Sequence, residues 1–70
     1  MNAVLKINGT EKTFDEVLPA TLSELLSQLE IDAATVVAEI DGQIIERKNF
    51  AQTELKDQMN IELIRFVGGG

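Results

Sequence analysis

Residues 21–29 read TLSELLSQL, and this segment carries the clearest helical pattern in the chain. Thr21 and Glu24 have the spacing of a capping box, in which both side chains accept hydrogen bonds from the backbone at the start of a helix. Four leucines follow at the i, i+3, i+4 and i+7 positions of one helical face, namely Leu22, Leu25, Leu26 and Leu29. A stripe of this kind indicates a helix that packs on a core, not a ligand site.

A β-hairpin is predicted before this helix. Residues 4–7 lead with alternating polarity into Asn8-Gly9, the pair that most readily adopts positive φ in a tight turn. The second strand is expected over residues 10–17, with Phe14 in the core. Pro19 should end this strand, because proline donates no hydrogen bond to a neighbouring strand.

Three further strands are predicted after the helix. Residues 36–40 (VVAEI) are rich in β-branched side chains, Asp41-Gly42 marks a tight turn, and residues 43–46 can pair back as a short strand. Residues 61–67 (IELIRFV) have the pattern of a closing strand. The intervening segments are expected to be a connection over 31–35 and an irregular stretch over 49–57 with a short helical turn at Phe50.

The predicted order β-β-α-β-β-β specifies a fold class. One amphipathic helix can cover only one face of a sheet, and the last strand has to pair with the first. These requirements describe an α+β domain of the ubiquitin-like β-grasp type, a mixed sheet of about five strands with one helix on one face. We expect residues 1–67 to form this domain and residues 68–70 to form a flexible C-terminal tail.

The sheet face without a helix is expected to carry an apolar patch. If Ile61 and Leu63 pack inward, Ile64 and Phe66 must lie on the open face, because side chains alternate along a strand. Such a patch marks a partner surface, although strand twist could instead cover both faces in part. The candidate partner-binding residues are Ile64, Phe66 and Val67, with Val37 or a member of the pair 44–45 as possible neighbours.

Composition limits the functions open to this chain. Its 70 residues include no Cys and no His, so a thiolate nucleophile and the commonest general base and metal ligand are absent, and neither a stand-alone enzyme nor a metal site is expected. The net charge of −6 opposes binding to nucleic acid or anionic lipid and favours a partner with a basic face. No segment has the pattern of a signal peptide or a membrane span, and a cytoplasmic protein is the expectation.

Residues 68–70 are three glycines that follow the closing strand directly. Glycine backbone can enter a narrow cleft, and the four residues from Val67 onward reach roughly 13–14 Å when extended. We therefore interpret this segment as a functional tail that a partner threads into its active site. The alternative is a frayed terminus or a cloning remnant.

Four segments together resemble the ThiS family of sulfur carrier proteins of thiamine biosynthesis. They are the Asn8-Gly9 hairpin and residues 21–26 (TLSELL), 36–45 (VVAEIDGQII) and 61–70 (IELIRFVGGG). The resemblance implies that a ThiF-type activating enzyme adenylates the terminal carboxylate with ATP, and that the adenylate becomes a thiocarboxylate. A sulfur donor such as a cysteine desulfurase supplies the sulfur, which a ThiG-type thiazole synthase finally receives.

The same resemblance assigns roles within the tail. Gly70 would hold the adenylate and then the thiocarboxylate, Gly69 would be the second glycine of the motif, and Gly68 would be an added glycine. Because the chain has no G-x-x-x-x-G-K-[ST] segment to hold phosphates, ATP must be bound by the partner. The chain itself is thus expected to bind no cofactor and to act as a protein co-substrate, not as an enzyme.

Three other functions share parts of this pattern. The small subunit of molybdopterin synthase resembles this chain in fold and tail chemistry. A ubiquitin-type modifier would use Gly70 to form isopeptide bonds with lysines. A plain protein-binding β-grasp module would keep its function after deletion of the glycines.

Overall fold

The computed structural model describes residues 2–15 and 17–66. Within them lie one α-helix and five strands, in the chain order predicted from the sequence. Two short 3₁₀ segments, Ala33–Thr35 and Arg47–Gln52, lie in the connections. The main elements are β1 (Ala3–Ile7), β2 (Thr10–Phe14), α1 (Leu22–Gln28), β3 (Val36–Ile40), β4 (Gln43–Ile45) and β5 (Asn60–Arg65).

The five strands form one mixed sheet in the order β2-β1-β5-β3-β4. Strand β5 lies in the centre, parallel to β1 and antiparallel to β3. The other neighbours, β1 with β2 and β3 with β4, are antiparallel hairpins. The pairing of the last strand with the first is therefore present, and the predicted β-grasp architecture is confirmed.

Two tight turns set the register of the hairpins. Asn8 and Gly9 have φ of 52° and 82°, and Asp41 and Gly42 have φ of 50° and 90°. Positive φ at both central residues matches the right-handed twist of the flanking strands. A Cβ at either glycine would meet no atom within 4 Å, so the backbone conformation, not lack of space, is what favours glycine there.

Helix α1 begins at the predicted cap. The Glu24 backbone N–H donates to Thr21 Oγ1 at 3.3 Å, and Glu24 Oε1 accepts from the Ala20 backbone N–H at 3.4 Å. In a standard capping box the Glu24 side chain would accept from the Thr21 N–H, but here it accepts from the residue before the cap, Ala20. The leucine stripe faces the sheet as predicted: Leu22, Leu25 and Leu26 are buried, and Leu29 is partly buried against the same core.

The core lies between α1 and one face of the sheet. Phe50, in the 3₁₀ segment Arg47–Gln52, and Leu55 join this core from the connection before β5. None of the buried side chains in the described parts of the chain is polar or charged. The polar and charged side chains of these parts therefore all lie at least partly on the surface. The buried apolar residues are Leu5, Leu22, Leu25, Leu26, Val36, Ala38, Ile40, Phe50, Leu55, Ile61 and Leu63.

The predicted end of β2 is wrong. The strand stops at Phe14, not at residue 17, and Val17 is 80% exposed. Ala3 is the first residue of β1 and pairs with Phe14, so β2 has no partner in β1 beyond Phe14 in this register. Phe14 itself is only partly buried, although it packs against the core as expected.

The closing strand is also shorter than predicted. β5 spans Asn60–Arg65, whereas the sequence pattern indicated residues 61–67. Phe66 follows the strand but stays attached to the fold, since its backbone N–H donates to the Thr35 carbonyl at 3.2 Å. Val67 lies outside the described residues, and so does the expected boundary between the domain and the glycine tail.

Candidate functional site

The sheet face opposite α1 carries the candidate site. Along β5, Ile61 and Leu63 are buried against the helix side, with exposures of 0% and 8%. Ile64 and Phe66 are 54% and 49% exposed. Alternate side chains of the strand therefore face the core and the open face of the sheet. The two apolar candidates, Ile64 and Phe66, lie on the open face. Whether they bind a partner stays a prediction.

Two neighbouring strands extend this apolar surface. Val37 on β3 lies directly opposite Ile64. Ile44 on β4 is 68% exposed and lies opposite Glu39, while Ile45 faces the other way and packs against the core. Ile44, not Ile45, is therefore the member of that pair on the open face. We call the surface formed by Val37, Ile44, Ile64 and Phe66 the open-face patch.

Two carboxylates lie beside the open-face patch. Glu39 on β3 and Glu62 on β5 are directly opposite each other and half-buried. Over residues 2–15 and 17–66 the only ion pair within 4 Å joins Lys48 and Glu46, at 3.6 Å. Like charges directly opposite on neighbouring strands are destabilising. A positively charged group from a partner would reduce the repulsion between Glu39 and Glu62.

A concavity of about 300 Å³ adjoins the open-face patch. Phe66, Val37 and Ile44 form the wall that it shares with the patch, and Phe50 contributes from the core side. Its remaining lining is mostly aliphatic, with Glu46 and Arg47 as the charged members. Its size and apolar lining suit an inserted side chain better than a nucleoside triphosphate.

The last described residue is held by a short capped segment. Asp32 Oδ1 accepts from the Ala34 backbone N–H at 2.9 Å, and the Asp32 carbonyl accepts from Thr35 Oγ1 at 2.7 Å. The Thr35 carbonyl then accepts the Phe66 N–H at 3.2 Å. This chain of bonds fixes the point from which residues 67–70 continue.

Four of the predicted site residues lie outside the described residues. They are Val67 in the partner-binding set, Gly68 and Gly69 in the tail, and Gly70 as the site of adenylation and thiocarboxylate formation. Their roles stay predictions.

One contact in this region was not anticipated from the sequence. Asn8 was interpreted only as a turn residue, yet its Oδ1 accepts the Leu63 backbone N–H at 2.7 Å. The two residues are far apart in the chain, and no local pattern indicates their contact.

The described residues contain neither a metal-binding cluster nor a membrane-spanning helix. Across 2–15 and 17–66 there is no group of three or more Asp, Glu, His or Cys side chains that could hold a metal ion. No helix in those ranges is long and apolar enough to cross a membrane.

A mixed five-stranded sheet with one covering helix and an open apolar face places this chain in the class of ubiquitin-like β-grasp proteins. A family model described as the ThiS family matches residues 2–70. The chain belongs to the ThiS family, and the resemblance drawn from its sequence segments is confirmed.

Solved structures agree with this assignment. A crystal structure of the thiamine biosynthesis protein ThiS from Geobacter metallireducens is 38% identical and superposes with a TM-score of 0.82, covering 100% of both chains. A solution structure of a thiamine biosynthesis protein from the same organism gives a TM-score of 0.77 and is covered over 88% of its length.

Two curated relatives differ greatly in length. The sulfur carrier protein ThiS of Bacillus subtilis is 30% identical over 67 residues, which cover 96% of this chain and 100% of the relative. A thiazole synthase of Paramagnetospirillum magneticum is 33% identical over 66 residues, which cover 94% of this chain. The chain spans only 20% of the length of that second relative.

Proposed function

We propose that this chain works as a sulfur carrier of thiamine biosynthesis through the carboxylate of Gly70, which is adenylated and then converted to a thiocarboxylate. The observation that carries the proposal is the ThiS-family match, which runs through Gly70 and so includes the glycine tail. This match also favours the thiamine route over a molybdopterin synthase subunit.

The chemistry requires activation because a carboxylate is a poor electrophile. In the proposed first step a Gly70 carboxylate oxygen attacks the α-phosphorus of ATP, forming the acyl adenylate and releasing pyrophosphate. A sulfur nucleophile at the oxidation level of sulfide then attacks the acyl carbon and releases AMP, which leaves a thiocarboxylate. A ThiF-type enzyme would bind the ATP. A donor such as a cysteine desulfurase would carry the sulfur as a persulfide, and a thiol that is oxidised to a disulfide would release this sulfur at the sulfide level.

The body of the domain would bring the tail to its partners. Docking through the open-face patch makes the reaction of the tail effectively intramolecular, which lowers the entropic barrier to transfer. An inserted partner side chain would suit the concavity beside Phe66, and a partner cation would suit the pair Glu39 and Glu62. The chain acts here as a co-substrate, and its partners supply the catalytic groups.

Thiazole synthase is the proposed acceptor of the sulfur. The support is the Paramagnetospirillum relative, because a segment similar to this chain makes up a fifth of a protein named thiazole synthase. A carrier and an acceptor joined in one polypeptide meet at a high effective concentration. We propose that this chain docks on a protein of the same type.

Intact-protein mass spectrometry tests the proposal. The chain is incubated with a ThiF-type activating enzyme, ATP and a sulfur donor, and we expect one oxygen to be replaced by sulfur in the C-terminal peptide. A Gly70→Ala variant is the matched control, since the added methyl group lies beside the reacting carbonyl and should suppress modification without affecting folding.

Two results would overturn the proposal. The first is an unmodified tail under conditions in which the Bacillus subtilis relative is modified. The second is an isopeptide bond between Gly70 and lysine side chains, which would indicate a ubiquitin-type modifier.

A further inference from the structure

The two edges of β5 are paired to different extents. On one edge, β3 pairs with every residue from Ile61 to Arg65. On the other edge, β1 pairs only with Asn60 and Ile61. Within the described residues, the C-terminal half of the central strand therefore pairs with another strand on one side only.

Backbone hydrogen bonds show which groups face the less paired edge. The Lys6 N–H donates to the Met59 carbonyl at 3.0 Å, and the Asn8 N–H donates to the Ile61 carbonyl at 2.9 Å. The Phe66 N–H, by contrast, points toward β3 and donates to Thr35. Because backbone groups alternate in direction along a strand, the N–H and carbonyl of Arg65 must face the β1 side.

The contact between Asn8 and Leu63 marks the point where pairing with β1 stops. The chain reverses at Asn8-Gly9, and the Asn8 carboxamide takes the Leu63 N–H at 2.7 Å in place of a strand carbonyl. Past this point no strand of residues 2–15 and 17–66 pairs with the edge, and Arg65 is exposed. We call the Leu63 carbonyl and the Arg65 N–H and carbonyl, which face this side, the free edge. An exposed edge of this kind is a template for an added strand.

We propose that the free edge is a strand-addition site, to which an extended segment of thiazole synthase binds and continues the sheet past the end of β1. The inference rests on the proposed function. The glycine tail follows the free edge within a few residues, so an acceptor that takes residues 67–70 into its active site also lies close to Arg65. Main-chain pairing there would hold the base of the tail in a fixed direction.

A second copy of this chain is a poorer occupant of the free edge. Each copy carries a net charge of −6, and two such chains repel each other at close range. The free edge is also short, so self-pairing would form few hydrogen bonds. A partner with a basic face avoids the charge repulsion, and an acceptor that also holds the glycine tail does not depend on these few hydrogen bonds alone.

Two substitutions at one position separate backbone pairing from side-chain contacts. Arg65→Pro removes the N–H from the free edge, and proline is tolerated where the N–H of a strand residue faces solvent. Arg65→Ala removes the side chain but keeps the N–H. We expect Arg65→Pro to weaken binding of the unmodified chain to purified thiazole synthase on the order of tenfold, and Arg65→Ala to change it by about twofold or less.

Amide hydrogen exchange on the unsubstituted chain gives a second readout, which stands even if the proline variant fails to fold. The Arg65 amide should exchange fast in the free chain and become protected in the complex. The Ile64 amide, which faces β3, should be protected in both states and serves as the internal control.

Binding by Arg65→Pro at the strength of the unsubstituted chain, or an Arg65 amide that stays fast in the complex, would overturn the inference. Protection of Arg65 that appears on raising the concentration of the chain alone would assign the free edge to a second copy instead. Because the binding experiment uses the unmodified chain, its outcome is independent of whether Gly70 accepts sulfur.

Discussion

Ile61 and Ile64 are the same residue type on the same strand, three positions apart, and they meet opposite surroundings. Ile61 is fully buried between the sheet and α1, whereas Ile64 is more than half exposed on the open face. The buried side chains on the helix-facing side of β5, Ile61 and Leu63, are both apolar. The open side combines apolar side chains with two facing carboxylates.

This difference separates stability from recognition within a single strand. Burial of the helix-facing side chains supplies the hydrophobic free energy of the fold. The side chains on the other face are left out of the core and remain available to a partner. Substitutions on the two faces should therefore affect different measurements.

The largest effect is expected from truncation in the core. Ile61→Ala should lower the free energy of unfolding by about 2–5 kcal/mol, because it removes buried methyl groups and leaves a cavity. The matched change Ile64→Ala should lower it by about 1 kcal/mol or less. Urea denaturation of both variants measures the difference, and equal losses would contradict the two-faced description of the strand.

A charge placed in the open-face patch should affect binding more than folding. We expect Phe66→Asp to weaken binding to the activating enzyme and to thiazole synthase by about tenfold or more, as is typical for a central aromatic contact. Its effect on stability should stay near 1 kcal/mol. Val17→Asp is the control, because Val17 is exposed and lies outside the patch. A stability loss as large as that of Ile61→Ala would instead place Phe66 in the core.

A change at the helix cap should affect stability but not partner binding. Thr21→Ala removes the acceptor for the Glu24 N–H and should cost about 0.5–2 kcal/mol of stability. Because α1 covers the opposite face, partner affinity should not change once the variant is folded. Thermal unfolding and a binding titration on the same sample test both parts, and Thr21→Ser provides a control that retains the cap. Weaker binding by folded Thr21→Ala would indicate that partners also contact the helix side.

The smallest effect is expected at the facing carboxylates. Glu62→Lys replaces a like-charge pair with Glu39 by an opposite-charge pair, which should raise stability by about 0.2–1 kcal/mol. The same change should weaken partner binding, and the loss should shrink as salt is added. Glu54→Lys changes the net charge equally at an exposed site and is the control. A binding loss of the same size in both variants would show that net charge alone steers the partner.

The parts of the fold that depend on local patterns could be predicted from the sequence. The capping box at Thr21, the leucine stripe and the two turns with positive φ are each encoded within a few neighbouring residues. Strand alternation predicted that Ile61 and Ile64 face opposite sides of the sheet, but not which of the two faces the helix. These features were predicted because each requires only short-range information.

Features that depend on long-range register could not be predicted. The end of β2 is set by where Ala3 pairs, and the opposition of Glu39 and Glu62 is set by the register between β3 and β5. Neither register is encoded by the strands themselves.

The conformation that ends α1 was not predicted, although the connection expected over 31–35 indicated roughly where the helix stops. Glu30 adopts φ of 58° beyond the helix, and the Ile31 N–H closes the turn onto the Leu26 carbonyl at 2.9 Å. Glycine usually occupies such a position, so the sequence gives no signal for the motif. The fold supports the conformation although the residue type disfavours it.

The central position of β5 also has a consequence for the order of folding. A ribosome makes this strand after the other four, yet the two hairpins reach each other through the sheet only by way of it. The sheet can therefore close only after Arg65 has been made, and contacts that are so distant in sequence slow the final step. A nascent or truncated chain without β5 therefore lacks both the complete sheet and the part of the open-face patch that β5 and Phe66 supply.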